Sequence, residues 1–108
     1  MAKPPLPIPP AKAKPAVDAV MILRAGAQHI EDRAASRDLP EGERSMARTV
    51  KAFNAMFGTS LTEVQGWQFM ELLKMSRSAV GAHNPDDYED AAAYAALAGE
   101  AAAHGSQT

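Results

Sequence analysis

The residues with chemical potential are concentrated between Trp67 and Gly99. A hydrophobic segment carries Glu71, Lys74, Arg77 and Ser78, and after a short break the run Asp86-Asp87-Tyr88-Glu89-Asp90 leads on to Tyr94. At about 100° per residue, Glu71, Lys74 and Ser78 share one sector of a helix, with Arg77 beside it. Asp87, Asp90 and Tyr94 line one face of the next helix by the same rule. If those sectors meet, two cations, three carboxylates, a phenol and a hydroxyl converge. Divalent-metal binding would use Glu71, Asp87 and Asp90, because Mg2+ is held by one or two carboxylates plus substrate phosphate. Phosphate binding would use Lys74 and Arg77, the guanidinium offering a two-pronged donor, with Asp87 and Asp90 orienting them and Tyr94 touching the ligand. Acid–base catalysis would need a carboxyl or histidine with a displaced pKa. The competing structural reading is a salt-bridge network that sets helix register, with the aspartates favouring a helix N-terminus.

Four helices are expected to position these groups. Met1 to Pro15 holds six of the eight prolines, interleaved with Ala and Lys. It reads as an extended or disordered arm over residues 1–15, either a solubilising tail or a ligand for a proline-binding module. The first helix is predicted from Ala16 or Val17 to about Arg37, with Val20, Leu23, Ala27, Ile30 and Ala34 as its apolar stripe. His29 and Arg33 fall off that stripe, and His29 reads as a surface or packing residue. After Leu39-Pro40, Glu41 to Glu43 open a second helix to Phe57. Its apolar face is Met46, Val50, Phe53 and Phe57, and its wet face Arg44, Arg48 and Lys51.

Gly58 ends that helix, and T-E-V-Q at Thr62 to Gln65 has capping-box spacing for a third. This third helix runs to Ala79 or Val80 and is apolar around nearly its whole circumference. It is therefore expected to be the central one, packed on several sides. The fourth opens with Asn84 as cap and Pro85 at its first position, and runs to Ala103. Residues 104–108 read as a frayed tail, and residues 16–103 as the domain. With no strand pattern, the fold class is all-α: a four-helix domain built on a central helical hairpin.

Bulk properties narrow the function. In 108 residues, Lys and Arg number 11 against 13 Asp and Glu, a net charge of −2. That balance argues against general nucleic-acid binding, which shows a basic excess. Cysteine is absent, which excludes disulfides and thiolate metal sites. No apolar run approaches the roughly 20 residues of a membrane span. The proline-rich N-terminus has no apolar signal core, so a cytoplasmic location is expected. Alanine supplies 23 of the 50 apolar residues, so a monomer's core would be slim and a homo-oligomer is expected.

The segment IEDRAASRDLPEGERSMARTVKAFNAMFGTSLTEVQGWQFMELLKMSRSA, closing with DDYEDAAAYAALAGE, resembles a family of small all-α phage and prophage proteins of unknown function. The marks are P-E-G-E-R-S-M, the L-L-K-x-x-R run at Leu72 to Arg77, and D-x-x-x-Y at Asp90 to Tyr94, within about Ile30 to Glu100. More distantly the arrangement is similar to the MazG-like all-α nucleoside-triphosphate pyrophosphohydrolases. Those hold Mg2+ with E-E-x-x-E on one helix and E-x-x-D on the next. Asp87 to Asp90 fits a D-x-x-D version of the second motif. In the first, Met70 stands at the leading carboxylate, Glu71 survives, and Lys74 replaces the last glutamate.

The resemblance thus implies nucleotide handling without metal-dependent hydrolysis, with no cofactor. The leading expectation is a non-hydrolytic binder of a phosphorylated nucleotide that sequesters or senses a signal. The alternatives are a protein-binding module that inhibits a host protein, and a Mg2+-dependent pyrophosphohydrolase using Glu71, Asp87 and Asp90.

Overall fold

A computed structural model describes residues 16–36 and 45–105. Four helices follow in order: α1 (Ala19–Ser36), α2 (Ser45–Phe57), α3 (Glu63–Ser78) and α4 (Pro85–Ala103). Among the described residues there is no strand, and the all-α, four-helix reading holds. The expected arm over residues 1–15, Arg37 at the end of α1, the Pro40 break and the Glu41 to Arg44 start of α2 lie outside the described residues, as do positions 106–108.

The ends of the helices follow from local chemistry. Thr62 accepts the amide of Gln65 at 3.1 Å while Gln65 accepts the amide of Thr62 at 3.0 Å, which satisfies two otherwise orphan donors of α3. Asn84 accepts the amide of Asp86 at 3.1 Å, and Pro85 needs no amide donor there. The α2–α3 turn is tied by Asn54. Its side chain donates to the Leu61 carbonyl and accepts from the Leu61 amide and the Thr59 hydroxyl, all between 2.7 and 2.9 Å. Gly58 supplies the left-handed φ of +66° that lets the chain leave α2.

The expected central hairpin is α3 with α4, each having two packed neighbours, and α4 is the more deeply buried of the two. α4 packs along α3 most extensively and along α1 on its other side, while α2 packs on α3. Its inward residues are Asp87, Ala93, Tyr94, Leu97, Ala98 and Ala101. The expected all-round burial of α3 is corrected: Trp67 and Gly66 are buried, whereas Phe69, Leu72 and Met75 are exposed. Trp67 stacks on Tyr94 with ring centroids 5.8 Å apart. Such a pair contributes about 0.5–1.5 kcal/mol beyond area burial.

The stripe expected on α1 is also displaced. Val20, Leu23 and Ala27 are exposed and Gly26 is the buried residue. A Cβ on Gly26 would lie 2.9 Å from the Glu89 carbonyl oxygen, so the missing side chain is what lets α1 touch the α4 backbone. On α2, Met46 and Val50 are buried as expected. Phe53 and Phe57 are exposed and lie against each other, centroids 4.7 Å apart.

Candidate functional site

The charged constellation forms where α4 runs between α3 and α1. Trp67, Met70 and Lys74 recur at helical spacing on the side of α3 that meets α4, and this leaves Lys74 with its side chain only 14% exposed. Burial at that level requires a partner. Its Nζ lies 2.9 Å from Oδ2 of Asp90. The other oxygen of Asp90, Oδ1, lies 3.5 Å from Nη2 of Arg33 on α1. One carboxylate on α4 therefore holds a cation from each neighbour. The Arg33 guanidinium also stands 5.6 Å from the Tyr94 ring centre, within range for cation–π attraction.

A turn away on the α1 side, Nε2 of His29 lies 2.9 Å from Oε1 of Glu89. His29 is thus a packing residue at the α1–α4 contact, with a carboxylate partner that its spacing did not reveal. Arg33 and Glu89 were not singled out by the sequence reading. The signal for both was present but faint: Arg33 lies two turns from Gly26 and Glu89 one turn from Ala93, the small residues that mark the α1–α4 contact.

The remaining expected site residues are distributed as follows. Tyr94 is buried beneath Arg33 and against Trp67, forming the floor of the cluster. Asp87 is buried in the first turn of α4, and Glu71 is half-buried on α3. Arg77 is exposed one turn beyond Lys74, and it makes no ion pair with another described residue. Ser78 donates to the Met75 carbonyl at 2.7 Å and so closes its own helix end. Of the five residues expected to bind ligand, the structure brings Lys74, Asp90 and Tyr94 into one cluster and leaves Arg77 at its rim.

The donor set does not suit Mg2+ at Glu71, Asp87 and Asp90. Both oxygens of Asp90 already face cations, and a divalent ion would be repelled by the Lys74 ammonium beside it. What the arrangement does achieve is a cross-link of three helices through charge. A groove of about 110 Å3 lies elsewhere, between α1 and α4, lined by apolar groups including Leu23, Ala27, Ile30, Ala92 and Ala96. It offers no charged group to orient a polar ligand.

The fold and cluster define an all-α helical protein in which Asp90 pairs with cations from two neighbouring helices. Residues 21–102 match the model of the DUF6378 domain of unknown function, and the chain belongs to that family. No curated protein and no solved structure matches the chain. Among the described residues, no helix is long and apolar enough to cross a membrane.

Proposed function

We propose that the protein is a non-catalytic helical assembly module, joining first to further copies of its own chain. The observation that carries this reading is the distribution of large apolar side chains. Among the described residues, five are buried (Met46, Val50, Trp67, Tyr94 and Leu97), none of them completely. Twelve are exposed, including Phe53, Met56 and Phe57 on α2 and Phe69, Leu72 and Met75 on α3. Six of the twelve lie on α2 and α3, and exposed apolar surface on this scale marks a protein interaction site. A core this slim gives little stability to an isolated domain, so the occupant must be present whenever the chain is. A second copy meets that condition. In this reading the Lys74–Asp90–Arg33 cluster is an internal latch that holds α1 and α3 on α4, so that the α2–α3 face is presented rigidly.

The test is the mass in solution of the wild type and of Phe69→Glu and Leu72→Glu. Dimers or larger for the wild type, with helical monomers for the variants, support it. A monomeric wild type at every concentration rejects it.

A second reading, a binder of a phosphorylated nucleotide that does not hydrolyse it, is favoured by Arg77. This exposed guanidinium sits one turn from Lys74 with no carboxylate joined to it among the described residues, as a phosphate donor would. Lys74 and Arg77 would meet the phosphate, with Asp87 and Asp90 behind them. A panel of nucleotides, cyclic dinucleotides included, should then raise the melting temperature of the wild type and not of Arg77→Ala. A panel that moves neither removes this reading. The similarity to MazG-like enzymes, an origin in phage and a role against a host protein belong to these proposals. So does residence in the cytoplasm.

A further inference from the structure

A group on the α1–α4 side belongs neither to the latch nor to the apolar face. We propose that His29, Asp86 and Glu89 form a binding site for a borderline transition-metal dication, Zn2+ or Co2+, that ties α1 to α4. One imidazole nitrogen and one oxygen from each carboxylate all lie within 4.8 Å of one another. His29 Nε2 and Glu89 Oε1 are already 2.9 Å apart. Donors bound to one ion at about 2.0–2.2 Å stand roughly 3.0–3.5 Å from each other, so two of the three are at nearly the required spacing. The third, Asp86, is exposed in the first turn of α4, and a rotation about its own side-chain bonds closes the remaining distance.

The placement is fixed by backbone rather than by side-chain chance. Gly26 brings α1 against the Glu89 carbonyl, and His29, one turn further along, is carried onto the same face of α1. Asp86 and Glu89 are three residues apart on α4 and so project from the same side. Asn84 fixes the helix start that orients Asp86. The Arg33 guanidinium, one turn from His29, is paired with Asp90. Two carboxylates and one imidazole suit Zn2+ or Co2+ better than Ca2+ or Mg2+, which select all-oxygen surroundings. Water completes the coordination, since three protein ligands leave open positions.

Such an ion would bind the folded chain and not the unfolded one, and so raise the melting temperature with the logarithm of free ion concentration above its dissociation constant. The helix it restrains is otherwise held by the glycine contact, by Ile30 on the core and by Arg33 against Asp90 and Tyr94.

The experiment uses the full chain. Zn2+ is titrated calorimetrically and Co2+ by its visible absorption, for the wild type and for His29→Gln, Asp86→Ala and Glu89→Gln. His83→Gln and His104→Gln serve as controls, because neither residue belongs to the group. The expected result is one ion per chain, affinity lowered at least about tenfold in each of the three variants, and unchanged affinity in the two controls. Asp86 is exposed, so its variant keeps the fold and remains informative if another does not. The proposal is overturned if the wild type shows no saturable binding up to millimolar Zn2+. It is equally overturned if Asp86→Ala retains wild-type affinity, or if binding depends on His83 or His104.

Discussion

Asp90 joins three helices, because it answers cations from α1 and α3 at once. Lys74 and Asp90 each have only 14% of the side chain exposed, so removing one partner strands a poorly hydrated charge. Asp90→Asn should therefore lower unfolding free energy by about 3 kcal/mol, measured by urea denaturation. The double variant Lys74→Met, Asp90→Leu should recover most of that loss, since replacing a buried pair by apolar groups is often neutral. A Lys74→Glu variant sets a further carboxylate against Asp90 and should melt lower than the wild type. Mg2+ should raise the melting temperature of that variant and leave the wild type unchanged, if the ammonium stands where an ion would otherwise be needed. That Lys74 and Asp90 would face each other was legible from spacing, because both lie on the seams of helices with clear starts; that they pair directly was not. Nor were Arg33 and His29. Their inward direction is set by Gly26, and a periodicity argument weighs side chains, so it passes over the one residue whose lack of a side chain creates the contact.

At the scale of the helices, three glycines separate close approach from mere tolerance. A Cβ at Gly26 would meet the Glu89 carbonyl at 2.9 Å, and one at Gly66 would meet Met46 Sδ at 2.5 Å and Val50 Cγ1 at 2.8 Å. Alanine in a helix interior gains about 0.5–1 kcal/mol over glycine, but overpacking costs about 1–3 kcal/mol. Gly26→Ala and Gly66→Ala should both be net destabilising in chemical denaturation, Gly26 the more so because the obstacle is backbone. Gly99, where nothing lies within 4 Å, should show the opposite sign, a gain of about 0.5–1 kcal/mol. The helix starts were readable because Thr62 to Gln65 and Asn84-Pro85 act through contacts within four residues. The burial of α3 was not readable, since Phe69, Leu72 and Met75 look like core residues in sequence whether they face the inside of one chain or the surface of another. The alanines of α4 suit close helix packing, and Ala93, Ala98 and Ala101 do pack inside the chain.

For the whole molecule, the imbalance between a slim interior and an apolar exterior is the property that most needs an explanation. The family assignment gives the chain relatives and no activity, so the explanation rests on the surface itself. Charged substitutions at exposed helix positions of a monomer change stability within about 0.5 kcal/mol, whereas at an interface they separate the chains. The most direct measurement is light scattering behind size exclusion on the wild type and Leu72→Glu, with circular dichroism to confirm that both remain helical. Assembly through the α2–α3 face predicts at least two 11.4 kDa chains per particle for the wild type and one for the variant. A wild type that elutes as a single 11.4 kDa chain across the concentration range would contradict it.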